Sequence, residues 1–182
     1  MRVQSTALPG VLVFEPAVHR DARGFFLETW RASRYRDAGV DLPFVQDNHS
    51  RSVQGTLRGL HYQIQQAQGK LVYAVTGSVY DVAVDLRRSS PTFGRWIGCT
   101  LTEENHLQLW VPPGFAHGFY VTSPAADVVY KCTDVYASEH ERCLRWDDPD
   151  LAITWPLVGG APPLLSPRDA AAPPLREAQA YP

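Results

Sequence analysis

No stretch of the 182 residues approaches the ~20 uninterrupted apolar residues of a membrane-spanning helix. The N-terminus, Met1-Arg2-Val3-Gln4-Ser5-Thr6, lacks the apolar core of a secretory signal, so the expectation is a cytoplasmic chain with no membrane partner. Cysteine is scarce. Cys99, Cys132 and Cys143 are odd in number and widely spaced, which argues against both a disulfide framework and a thiolate zinc site. An excess of either charge is missing too: the formal net charge is −2 and the pI about 6.3, which gives no field for a nucleic-acid backbone. A small anionic ligand stays compatible, because a few arginines gathered in one pocket bind phosphate without changing the overall balance. The length suits one domain spanning residues 1–182, with a core and no linker.

What the sequence does contain is β texture. From Val45 to about Thr133, short runs rich in Val, Leu, Tyr, Phe and Trp are separated by Gly, Pro, Asn and Ser. Lys70–Thr76 and Val79–Leu86, separated by Gly77-Ser78, read as a hairpin closed by a two-residue turn. In the second of these runs Tyr80, Val82, Val84 and Leu86 share one face, while Val79, Asp81, Ala83 and Asp85 share the other. Further strands are expected at Gly55–Gln63, Trp96–Leu101, His106–Val111, Gly118–Thr122 and Asp127–Thr133. At least seven strands in succession predict an all-β jelly-roll barrel, a closure that leaves few free edges. Short peripheral helices are expected at Ala32–Ala38, stopped by Gly39, and at Ser166-Pro167-Arg168-Asp169, where a serine cap precedes proline and an acid. The Ala- and Pro-rich tail, Ala170–Pro182, reads as loosely packed.

Three polar clusters interrupt the apolar strands: Gln46-Asp47-Asn48-His49-Ser50, Arg58-Gly59-Leu60-His61-Tyr62-Gln63 with Lys70 soon after, and Pro112-Pro113-Gly114-Phe115-Ala116-His117-Gly118-Phe119. The third resembles the second cupin motif, a Pro-x-Gly turn followed by a histidine. The first cupin motif would supply His-x-His and a downstream glutamate, and this chain has His61-Tyr62-Gln63 there. A lone histidine does not hold a divalent ion well, so no metal and no cofactor are expected.

Six runs then carry a specific resemblance: Phe44–Ser50, Leu57–Gln63, Gln68–Val72, Asp81–Arg87, Ser90–Gly94 and Gly114–Phe119. In order and spacing they are similar to the dTDP-4-dehydrorhamnose 3,5-epimerase family, from about Val13 to Pro174. The resemblance implies a metal-free, cupin-type jelly-roll sugar-nucleotide epimerase in dTDP-L-rhamnose biosynthesis, and usually a homodimer whose N-terminal strands cross to the partner. Such an isomerase inverts C3 and C5 of a dTDP-4-keto-6-deoxy-hexose. Each carbon lies beside the ketone, so its proton can leave as charge spreads onto the ketone oxygen.

By that resemblance His61 is the base, Asp169 the acid that pairs with it, Lys70 the cation near the enolate oxygen and Tyr130 the proton donor. Arg23, Glu28, Gln46, Asn48, Arg58, His117, Glu141 and Arg168 are implied binding positions, with Tyr136 a stacking aromatic. Each has a plainer reading. His61 and Tyr130 suit a hydrogen-bonded core, Lys70 a solvated strand end, Asp169 a helix start, and the others ordinary surface charges. Strand alternation adds a difficulty, because His61 and Gln63 share a face with Gly59 while Arg58 points the other way, unless Gly59 bends the strand. An epimerase of one carbon and a non-catalytic sugar-nucleotide-binding cupin are the competing readings. A metal-dependent cupin oxygenase is disfavoured by the missing His-x-His pair.

Overall fold

Alternation of apolar and polar residues makes half-buried strands, and uninterrupted apolar runs make strands covered on both faces. Both kinds are present in the computed structural model, which describes residues 1–182. The N-terminal third forms β1 (Arg2–Ser5), β2 (Leu12–Glu15), β3 (Val18–Asp21), β4 (Gly24–Leu27), α1 (Ala32–Asp37) and β5 (Gln46–Val53). The centre supplies β6 (Leu57–Gln63), β7 (Lys70–Thr76), β8 (Ser78–Asp85), β9 (Trp96–Thr102), β10 (Gln108–Val111) and β11 (Phe115–Val121). β12 (Ala125–Cys132), β13 (Glu141–Cys143) and α2 (Pro167–Ala170) follow.

Two antiparallel sheets face each other in a cupin-like jelly roll. One has the order β1-β2-β10-β7-β12-β5 and the other β13-β6-β11-β8-β9, while β3 and β4 pair as a separate hairpin. Val72, Ala74, Leu109 and Val128 of the first sheet meet Val79, Ala83, Phe119 and Leu101 of the second in the shared core. The outer face of the second sheet is covered as well: Leu60, Tyr62, Val82, Val84 and Tyr120 pack against Leu144, Leu151 and Trp155. β11 is therefore buried at every position, whereas β5, at the edge of the first sheet, alternates exposed and half-buried residues along most of its length.

The expected Lys70–Leu86 hairpin does not form. β7 and β8 occupy the expected stretches but belong to different sheets, so Gly77 is a corner and not a two-residue turn. Gly77 sits at φ +71°, and a Cβ there would lie 2.1 Å from the Ala125 carbonyl oxygen. The chain turns the corner hard against β12, where only glycine fits. The local signal for a turn was sound, but local sequence does not encode which strand each arm pairs with.

The C-terminal tail is docked, contrary to its loose composition. Tyr181 donates its hydroxyl to the Gln63 carbonyl and exchanges backbone hydrogen bonds with Leu86 and Arg88, and Tyr62 donates to the Gln179 carbonyl at 2.6 Å. Ala178 is buried among the outer core residues. The expected serine cap is present: Ser166 Oγ accepts from the Asp169 N–H at 3.1 Å, with Pro167 opening α2.

Removal of residues 179–182 deletes these four hydrogen bonds and should cost about 3 kcal/mol at roughly 1 kcal/mol each, minus fraying. Calorimetry should show the melting temperature falling by about 10 °C. An unchanged melting temperature would mean that the tail contributes nothing to the fold.

Candidate active site

The site begins with an irregularity in β6. His117 of β11 is opposite His61 and Phe119 is opposite Arg58, so two steps along β11 match three along β6. The extra residue is a bulge, and it resets the alternation so that Arg58 and His61 share the inner face while Leu57 and Leu60 remain in the outer core. Two glycines make it possible. A Cβ on Gly59, at φ +143°, would lie 2.6 Å from Gly118 Cα, and a Cβ on Gly118 would lie 2.7 Å from the Arg58 carbonyl oxygen. This is the bend that the alternation argument required.

Arg58, His61, Glu141, Ser166, Arg168 and Asp169 line a cavity of about 330 Å³, with Thr56, Leu57, Leu164 and Leu165 completing its wall. Within it, His61 Nε2 lies 2.6 Å from Asp169 Oδ1. Asp169 is thus both the first-turn acid of α2 and the partner of His61. Burial opposes ionisation of Asp169, but the hydrogen bonds from His61, Ser166 and the Gly59 N–H outweigh it and hold the carboxyl below its usual range. Burial also pulls His61 down, and Asp169 together with the neighbouring Cys143 more than reverses this, leaving the imidazole at about 9. Proton affinity is raised without loss of the ring's orientation.

Across the barrel from β6 is the inner face of the first sheet. In register across three strands, Gln46, Cys132 and Lys70 form one row and Asn48, Tyr130 and Val72 the next, so all six side chains point into the barrel. Gln46 donates to Asn48 Oδ1 at 3.0 Å, and its own carbonyl oxygen accepts from the Tyr136 N–H. Neither the Tyr130 hydroxyl nor the Lys70 ammonium has a hydrogen-bond partner within the chain. Both residues are half-buried, so a ligand in the barrel could take the place of water at these two groups. Burial lowers Lys70 from the usual lysine value against the pull of Cys132, Glu141 and Asp81. Burial raises Tyr130, with Cys132 adding to the effect and Arg58 opposing it, so the phenol stays protonated at neutral pH.

His117 Nε2 lies 2.8 Å and 3.0 Å from the two carboxylate oxygens of Asp81, and both residues are buried. The histidine of the cupin-like motif is therefore held by a carboxylate from β8. Gln63 spends its amide on the carbonyls of Gln66 and Val135 and on the Ala137 N–H, tying down the loop after β12. The Gln63 amide is therefore fully used, and His117 Nε2 is committed to Asp81. The one set of donors at ligand spacing is His61, Cys143 and Asp169.

At the rim, Glu141 Oε2 accepts from both the Tyr136 hydroxyl and Arg168. Tyr136 is exposed, as a stacking surface must be. Arg23 and Glu28 do not reach this cavity within one chain. Arg23 is bound to Asp21, and Glu28 to Arg31 and Arg34. The β3–β4 hairpin beside them lies near Tyr73 and Gln108, where the first sheet faces outward.

Sequence reasoning missed Asp81, Cys143 and Ser166 as neighbours of the site. Asp81 carried a signal, being, with Asp85, one of two acids on a face of β8 whose other residues, Val79 and Ala83, are small and apolar. Cys143 carried none, because its place opposite His61 depends on strand pairing.

The family described as dTDP-4-dehydrorhamnose 3,5-epimerase matches residues 5–177. A dTDP-4-dehydrorhamnose 3,5-epimerase of Pseudomonas aeruginosa is 54% identical over 183 residues, covering 100% of both chains. Among solved structures, a dTDP-6-deoxy-D-glucose-3,5-epimerase from Legionella pneumophila in complex with dTDP-4-keto-L-rhamnose is similar, with a TM-score of 0.95, 52% identity and coverage of 98% of this chain and 94% of that one. A 3'-monoepimerase from Streptomyces bikiniensis in complex with dTDP-quinovose has a TM-score of 0.88 at 38% identity, covering 94% and 86%. With the fold and nearly the whole length in agreement, this chain belongs to the dTDP-4-dehydrorhamnose 3,5-epimerase family.

Proposed function

We propose that the protein is a cytoplasmic, one-domain 3,5-epimerase that inverts C3 and C5 of dTDP-4-keto-6-deoxy-glucose on the route to dTDP-L-rhamnose. The observation that carries this reading is the placement of a paired histidine on one sheet and an unpaired tyrosine and lysine on the sheet facing it. Inversion needs removal of a proton from one face of the sugar and return from the other. His61, oriented by Asp169, takes the proton α to the ketone. Lys70 offers its unpaired ammonium to the enolate oxygen, where positive charge lowers the barrier most. Tyr130, from the opposite wall, returns a proton, and bulk water resets both groups.

The nucleotide half falls to the cations and the rim. Arg58 and Arg168 suit diphosphate oxygens, Tyr136 a flat base, and Gln46, Asn48, His117 and Glu141 hydrogen bonds to sugar or base. Arg23 and Glu28 join the site in a homodimer, delivered by the partner's N-terminal segment. Phe25 and Phe26, 56% and 72% exposed beside Arg23, support an interface there. Inversion of a single carbon is the second reading, favoured by the likeness to the Streptomyces bikiniensis 3'-monoepimerase.

Turnover of dTDP-4-keto-6-deoxy-glucose in deuterium oxide should place one deuteron at C3 and one at C5. Label at one carbon alone selects the second reading, and label at neither refutes both. His61→Asn should lower exchange at both carbons by roughly 10³-fold with nucleotide affinity kept; exchange near the wild-type rate would move the base elsewhere.

The base acts in its neutral form, and its value of about 9 means that kcat/KM should rise with pH from 7 through an inflection near 9 and level off only above it. In Asp169→Asn, which removes the main support of the charged imidazole, the inflection should move toward the ordinary histidine value of about 6.5 while the maximum falls. A wild-type plateau already reached at pH 7 would contradict this. Mixing His61→Asn with Arg23→Ala chains should restore activity that neither has alone, since one mixed site is then complete; no recovery would remove Arg23 from the partner's site.

A further inference from the structure

The proton-transfer scheme uses His61 and Asp169 but gives no task to the thiol beside them. One donor atom each from His61, Cys143 and Asp169 lies within 4.8 Å of the others. Three separate elements bring them together. His61 stands on β6, Cys143 is its register partner on β13, and Asp169 comes from the first turn of α2. Cys143 and Asp169 are buried, while the His61 side chain is 29% exposed toward the cavity, which provides a path for entry.

We infer that His61, Cys143 and Asp169 form an inhibitory site for a zinc-class divalent cation, which silences the enzyme by occupying its base. An imidazole nitrogen, a thiolate and a carboxylate oxygen are the donors such ions prefer. Three protein ligands with a fourth position open to a cavity is a stable zinc arrangement. With bonds of about 2.0–2.3 Å, tetrahedral donors stand about 3.3–3.8 Å apart, so the His61–Asp169 pair opens slightly and the thiol needs to close by no more than about an ångström. Thiolate and carboxylate together neutralise the dication, which removes most of the penalty for a charge at a buried site. Binding releases to solvent the thiol proton and the imidazole N–H proton that faced Asp169, with no change of oxidation state. Magnesium and calcium, which require oxygen ligands, are excluded by the thiol and the imidazole. The proposed proton transfers route no step through an ion, so the site differs in kind from the catalytic centre of a metal-dependent cupin.

The inhibitory half rests on the base role given to His61, and the binding half does not. The test is therefore spectroscopic first. Chelator-treated full-length protein titrated with Co²⁺ should develop a near-ultraviolet thiolate-to-cobalt band that saturates at one ion per chain, and Zn²⁺ should bleach it. Cys143→Ser should abolish the band and weaken Zn²⁺ at least about tenfold. His61→Asn should weaken the ion comparably, read by the band and not by turnover. Absence of the band, or its survival in Cys143→Ser through Cys99 or Cys132, overturns the site. In activity assays, Zn²⁺ should inhibit along the same occupancy curve, EDTA should restore full turnover, and Mg²⁺ should do nothing. A saturated site with undiminished turnover refutes the inhibitory claim and the base assignment of His61 while leaving the binding site in place.

Discussion

The close approach of β6 and β11 at Gly59 and Gly118 is the constraint on which the site depends. Side chains at either position would push the strands apart, and without the bulge Arg58 would point into the outer core instead of the cavity. The same bulge puts Arg58 on the face of β6 that carries His61, so one backbone irregularity brings the arginine to the side of the sheet where His61 meets Asp169. The proposed chemistry uses that geometry, with a base on one sheet and an acid on the sheet opposite.

Rigidity around the cavity comes from buried charges that are fully partnered. Asp85 accepts hydrogen bonds from Arg87, Ser90 and Thr92; although burial opposes its charge, these hold its carboxyl at about 2. Asp81 fixes His117 in the same way on the inner face of the second sheet. An unpartnered carboxylate at either place would cost several kcal/mol. Unlike these groups, the Lys70 ammonium and Tyr130 hydroxyl are half-buried and carry no hydrogen bond to the chain.

The central strands, β6 to β12, were legible in the sequence because alternation and turn residues are local signals, whereas the strands up to Val53 and the three-residue β13 were not foreseen. The Ser166 cap was legible for the same reason, and the structure joins two readings of Asp169 that looked exclusive. Pairing was not legible. Gly77 looked like a hairpin turn and is a corner, since the residues that decide it, Ala125 and Ala126, lie far along the chain. The tail looked loose because Ala and Pro carry no periodic signal, yet Tyr181 anchors it through backbone groups that composition cannot reveal. Arg58 resisted alternation until the register with β11 was known, and Arg23 and Glu28 remain outside the cavity of a single chain.

The claim that two sheets supply opposite faces of one proton transfer is tested most directly in Tyr130→Phe, by comparing deuterium incorporation with inversion at C3 and C5. If His61 removes the proton and Tyr130 returns it from the far wall, the variant should still wash deuterium into the sugar while forming much less inverted product, because a base on one face alone gives exchange with retention. Exchange and inversion falling in equal proportion, or not falling at all, would contradict the account.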